Sequence, residues 1–104
     1  MQFLVTGKDG TDADALNRRM AARPAHLAGA DKMKAEGLLI LGAAMLNDEG
    51  KMIGSIMLLN MDSRADVDKY LEDEPYISGN VWQTVEVQTI SVAPHYMPEA
   101  ARQR

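Results

Sequence analysis

Residues 38 to 61 constrain this chain more than any other stretch. Two apolar runs, Leu38 to Leu46 and Met52 to Met61, flank Asn47-Asp48-Glu49-Gly50, a composition that predicts a β-hairpin. Neither run alternates. In the second, Ile53, Ser55, Met57, Leu59 and Met61 form one mostly apolar face, and Met52, Gly54, Ile56 and Leu58 form another. Leu38, Leu39, Ile40 and Leu41 are apolar on both sides as well. An open antiparallel face would instead alternate polar residues with core residues, so both faces of this hairpin need cover.

The flanks supply the other elements. Gln2 to Thr6 reads as a strand stopped by the polar turn Gly7-Lys8-Asp9-Gly10. A helix follows, capped by Thr11 or Asp12, with Leu16 and Met20 on one face. Pro24 is expected to kink or divide it, because the residue before a proline avoids the α region. A second helical piece then starts at Pro24 and runs through Leu27, Ala30 and Met33 to a stop at Gly37. Beyond the hairpin, Ser63 with Asp66 three residues later has the form of a capping box. The helix it opens buries Val67, Tyr70 and Leu71 and ends at Glu72-Asp73-Glu74-Pro75. A last strand spans Val81 to Val92, with Trp82 and Ile90 expected on the face opposite Val85 and Val87. Residues 93–104 hold Pro94 and Pro98 and are expected to be irregular or a dimer arm, leaving residues 1–92 as the domain.

The order β-α-β-β-α-β is the ferredoxin-like α+β pattern: a four-stranded antiparallel sheet with two helices on one face. Two helices cover one face only. The second apolar face is expected to be covered by another copy, giving a homodimer through the open sheet face.

Bulk properties narrow the chemistry. At 104 residues, 46% hydrophobic and 25% charged, the chain has the size and composition of one globular domain. A net charge of −4 and the lack of a Lys/Arg cluster argue against a nucleic-acid partner. The absence of cysteine excludes disulfides, thiolate chemistry and Cys-type zinc sites. No run approaches the ~20 apolar residues of a membrane helix, and the start from Met1 to Gly7 has no signal-peptide pattern. The expected location is cytoplasmic.

His26 is the leading candidate for chemistry. With Pro24 opening a helix, His26 would sit in the first turn, where the helix dipole disfavours the imidazolium. A neutral imidazole is the form a general base needs; the alternative is a half-buried histidine bonded for structure. Arg23, one turn earlier, is placed to clamp an anionic substrate or to sit in a solvated ion pair. Glu72, Asp73 and Glu74 group three carboxylates, one of which could orient His26; solvated loop charges are the alternative. Ser55, after Gly54, could present a hydroxyl to a ligand. His95, between Pro94 and Tyr96, is expected at the surface or a dimer contact. Two histidines without ligand spacing point to no metal, and the eight methionines fit an adaptable core. No phosphate-binding loop, GxGxxG or GxSxG motif occurs, and no cofactor is expected.

Four features together resemble the YCII-related proteins, small dimeric ferredoxin-like domains of the α/β-barrel type. They are Arg23-Pro24-Ala25-His26-Leu27, Gly42, Gly54-Ser55 and Glu74-Pro75-Tyr76, in that order. The resemblance spans about residues 1 to 92. It implies a dimer with a His–Asp acid–base pair in a small pocket, and proton-transfer or dehydrohalogenation-like steps on small, often aromatic-derived molecules. His26 matches the family histidine and Ser55 its Gly-Ser serine. Where the family carries Asp before proline, this chain has Glu74, with Asp73 one step earlier.

The function expected from this is a small-molecule lyase or isomerase. His26 would act as base, Glu74 or Asp73 would orient it, and Arg23 and Ser55 would position a small anionic or aromatic-derived substrate. A non-catalytic ligand-binding or accessory domain using the same pocket is the second hypothesis. Haem binding through His26, as in related barrels, is the third.

Overall fold

The computed structural model describes residues 1–103. Their order is β1 (Gln2–Asp9), α1 (Ala15–Ala35), β2 (Leu39–Leu46), β3 (Met52–Asn60), α2 (Arg64–Glu72), α3 (Pro75–Ser78) and β4 (Trp82–Ile90), followed by a 3-10 turn (Pro94–Tyr96) and α4 (Glu99–Arg102). The strands form one antiparallel sheet in the order β2-β3-β1-β4. This is the ferredoxin-like α+β fold.

The end of α1 and the start of α2 carry readable signals. At the C-terminus of α1, Gly37 adopts φ 77°. The Gly37 N–H bonds to the Lys34 carbonyl and the Leu38 N–H to the Met33 carbonyl, at 3.1 and 2.9 Å. This pair of bonds closes the helix, and glycine supplies the left-handed residue without a Cβ clash. At the start of α2, Ser63 Oγ accepts the Asp66 N–H at 3.2 Å. At the start of α1 the cap position falls on Asp14, which makes no side-chain cap bond. Asp12 contributes indirectly, accepting the Asp14 N–H and both terminal nitrogens of Arg18.

Three expectations are corrected. First, Pro24 lies inside α1 and does not divide it. Its missing N–H removes one helical bond to the Met20 carbonyl, but Pro24 and Met20 are both on the exposed side, where a freed carbonyl is open to solvent. His26 is therefore in the middle of a 21-residue helix, and the dipole argument for its charge state lapses. Second, β1 does not stop at Thr6 but continues through Gly7 and Lys8 to Asp9. Third, Trp82 shares the core face with Val85 and Val87. A register shift between Lys8 and Asp9 pairs Gly7 with Val85 but Asp9 with Trp82, and the extra residue on β4 turns the indole inward. The short helix α3 was also absent from the sequence expectation, and the tail contains a 3-10 turn and one helical turn.

The core lies between the helices and the sheet, around Phe3, Val5, Met57, Leu59, Val67, Tyr76, Val81 and Trp82. Each large apolar side chain buried here is worth about 1.5–3 kcal/mol. Asn60 ties the tail to this layer: its Nδ2 donates to the Gly37 and Ala101 carbonyls at 3.2 and 3.1 Å. Gly7 makes room for the indole, since a Cβ there would stand 2.3 Å from Trp82 Cδ2. Gly7→Ala should therefore destabilise the fold by about 1–3 kcal/mol, measured by urea unfolding, because the strand and the ring are both fixed.

The opposite face of the sheet is uneven. Leu4, Leu41, Ala43, Met45, Ile56 and Leu58 share it across β1, β2 and β3, whereas β4 presents Thr84, Glu86 and Gln88. Leu41 is 48% exposed. Among the described residues, no helix is long and apolar enough to cross a membrane.

Candidate active site

The buried stripe of α1 is Ala15, Arg19, Ala22, His26, Ala30 and Met33, spaced by three and four residues. Two of its members are polar, and each meets a partner from another element. His26 Nδ1 lies 2.5 Å from Glu74 Oε1. Glu74 caps α3, accepting the Tyr76 N–H on Oε1 at 3.2 Å, while its Oε2 accepts the Tyr70 hydroxyl. Pro75 at the first helical position fixes this geometry, so the Glu-Pro-Tyr triplet aims a carboxylate at α1.

Burial pushes the Glu74 carboxyl upward, but hydrogen bonds from His26, Tyr70 and the Tyr76 N–H outweigh it and hold the group below the usual glutamate range. As a carboxylate it only accepts, so Nδ1 of His26 donates to it. The lone pair of a neutral ring is then on Nε2. Desolvation, with the Glu74 charge beside it, drives the Tyr70 hydroxyl far above its ordinary value, so it remains a donor.

The His26 ring stacks on Tyr76 with centroids 3.9 Å apart and planes 14° from parallel, and meets Trp82 edge-on at 6.3 Å. These two rings fix the plane of the imidazole. Arg19, only 2% exposed, donates through Nη1 to both oxygens of Asp9 at 2.9 and 3.1 Å and through Nη2 to Ser55 Oγ at 2.6 Å. Its guanidinium also lies 4.7 Å above the Tyr76 ring centroid. Desolvation raises the Asp9 carboxyl despite the opposing pull of Arg19.

His26, Arg19, Arg23, Ser55, Gly42 and Tyr76 line a cavity of about 240 Å³ between α1 and the β2-β3 half of the sheet. Leu27, Ala30, Leu39 and Met57 give it an apolar wall, and Lys34 and Asp31 stand among its polar groups. The structure thus brings together His26, Glu74, Arg23 and Ser55. Asp73 is exposed and caps the C-terminus of α2 through its backbone. His95 packs on Tyr96 in the tail. Sequence reasoning missed Asp9, Arg19, Tyr70 and the roles of Tyr76 and Trp82. Among the described residues no acidic, histidine or cysteine group is arranged to hold a metal. The cavity, at about 240 Å³, is too small for a porphyrin, so the haem hypothesis does not fit the residues present.

Two carboxylates here titrate in opposite senses. Glu74, with its lowered folded value, adds stability that is complete above its unfolded pKa of about 4.3 and is lost as pH falls through the folded value. Asp9, with its raised value, loses its contribution as pH rises through the folded value. Glu74→Gln should therefore flatten the decline in melting temperature between about pH 5 and pH 2, followed by circular dichroism. An unchanged decline would assign the acid sensitivity elsewhere.

The family model of the YCII-related domain matches residues 1–91. The chain belongs to the YCII-related family. Protein YciI of Escherichia coli O6:H1 is 29% identical over 94 residues, spanning 85% of this chain and 94% of that protein, and YciI of Shigella flexneri matches equally. Among solved structures, 5-chloro-2-hydroxyhydroquinone dehydrochlorinase (TftG) of Burkholderia phenoliruptrix AC1100, in complex with 2,5-dihydroxybenzoquinone, aligns with a TM-score of 0.76 at 25% identity. That match covers 91% of this chain and 98% of TftG. A dimeric ferredoxin-like protein of unknown function from Jannaschia sp. CCS1 aligns with a TM-score of 0.52 at 16% identity over 88% of this chain and 98% of its own, a likeness of fold.

Proposed function

We propose that this YCII-related protein is a small-molecule enzyme in which His26 moves a proton and Glu74 holds and compensates it. The observation that carries this reading is the His26–Glu74 contact beside a cavity lined by His26 itself. Nε2 of His26 takes a proton from the substrate, and the carboxylate stabilises the resulting imidazolium. In a dehydrohalogenation the electron pair of the broken bond forms a new double bond, and halide leaves with its own pair. Arg23 and Ser55 position the substrate. The cavity falls below the ~300–1,000 Å³ typical of sites for drug-sized ligands, which favours a single-ring molecule.

The likeness to TftG supports a substrate of the chlorinated hydroxyhydroquinone kind. Chloride release from 5-chloro-2-hydroxyhydroquinone, and from a panel of halogenated and unhalogenated hydroxyquinols, tests the reaction class. Turnover of one member supports the proposal. Tight binding throughout the panel without turnover would favour a ligand-binding domain in the same fold.

The same reading includes a cytoplasmic homodimer joined through the open sheet face, because Leu4, Leu41, Met45, Ile56 and Leu58 form an apolar area that a second copy covers by two-fold symmetry. Light scattering should return twice the 11.4 kDa chain mass at micromolar concentration. A monomer would refute this part.

A further inference from the structure

Proton bookkeeping around Arg19 gives Ser55 a specific task. Asp9 from β1, Arg19 from α1 and Ser55 from β3 form a connected chain, with Ser55 and Arg19 each 2% exposed and the Asp9 side chain 3%. A guanidinium has donors and no acceptor. Ser55 Oγ therefore accepts from Arg19, and the serine's own proton is not used in that bond. Ser55 faces the cavity that His26 lines. Asp9 balances the charge of Arg19 and anchors it, and the Tyr76 ring backs the guanidinium. The result is a rigid hydroxyl, polarised from behind by a cation, with one hydrogen bond left to give.

We propose that Ser55, polarised by Arg19, is the donor that receives the negatively charged oxygen of an enolisable or acidic hydroxy-carbonyl substrate. The inference deepens the His26 reading by naming the substrate class and a positioning residue, Arg19, that acts through Ser55. When His26 takes a proton from the atom conjugated to the carbonyl, that bond's electron pair shifts into the conjugated system and the carbonyl oxygen becomes an oxyanion. Ser55 meets this oxygen with a hydrogen bond, and no proton leaves the serine. A fixed donor aimed at developing charge needs no reorganisation during the reaction. Arg23 and Lys34 line the same cavity and outnumber its one lining carboxylate, Asp31, which adds to its preference for an anion.

The test compares two probes by titration calorimetry. One is 2,5-dihydroxybenzoquinone, whose oxygens are ionised near neutral pH; the other is 2,5-dimethoxybenzoquinone, which carries no acidic hydroxyl. The wild type should favour the dihydroxy compound, and Ser55→Ala should reduce that preference by about 10–100-fold, as expected for one charge-assisted hydrogen bond. Arg19→Lys, which keeps the charge but loses the fork that joins Asp9 to Ser55, should reduce it in the same direction. A purely structural role for Ser55 would weaken both probes alike and leave the ratio unchanged, and that result would overturn the inference. So would a wild type that does not discriminate between the probes. Failure of the His26 reading is separately visible, as unchanged turnover in His26→Asn.

Discussion

His26→Asn should lower turnover by about 10²–10⁴-fold while leaving the protein folded, the range expected when a positioned acid–base group is removed. Asparagine is the informative replacement. Its amide still offers a donor where Nδ1 faces Glu74, so the buried carboxylate keeps a partner. Alanine would remove that donor and the stacking surface on Tyr76 together, mixing loss of chemistry with loss of stability. Steady-state kinetics on the substrate identified by halide release measures the effect, with circular dichroism as the control for folding. A retained rate would reduce the His26–Glu74 pair to a structural bond.

Arg19→Met should be the most damaging single change to stability, at about 3–5 kcal/mol in urea unfolding. Methionine replaces much of the stem volume but leaves Asp9 buried without its cation. It also leaves Ser55 Oγ without its donor. For a small domain whose whole stability is about 5–15 kcal/mol, that is a large share. Protonation bounds the cost, because the Asp9 carboxyl is already raised and becomes neutral more readily than a charged pair can be replaced. Asp9→Asn combined with Arg19→Met should therefore recover part of the loss. Additive losses in the double variant would show that the two residues do not act as a pair.

The order of elements was legible because each carried a local signal: the Asn47–Gly50 loop, the Ser63 cap and the Gly37 stop. The Gly-Ser, Arg-x-x-His-Leu and Glu-Pro-Tyr segments pointed at cavity residues through their resemblance to the YCII-related proteins. The misses have physical causes. Apolar periodicity on α1 drew attention to Leu16, Met20 and Leu27, which are 36%, 46% and 42% exposed. The buried stripe instead reads Ala15, Arg19, Ala22, His26 and Ala30, small residues around two polar ones. Small residues at that spacing were the available signal for a helix lying close on the sheet with room for functional side chains. Pro24 was read as a boundary, yet an exposed proline is tolerated where solvent satisfies the freed carbonyl. The extension of β1 to Asp9 and the inward turn of Trp82 both depend on one register shift against β4, a tertiary event that no local pattern encodes. Register before Pro75 puts Glu74 ahead of Asp73 in the sequence, and the cap position before Pro75 sets the two apart in space.

The central claim is that His26 transfers protons in this cavity. The most direct measurement follows the ring hydrogens of 2,5-dihydroxybenzoquinone in D2O by proton NMR, with wild type, His26→Asn and no protein compared under one buffer. The wild type should accelerate loss of the ring-hydrogen signal, and His26→Asn should return it to the protein-free rate. Equal exchange with the wild type and His26→Asn, or a wild-type rate no faster than buffer, would contradict the account.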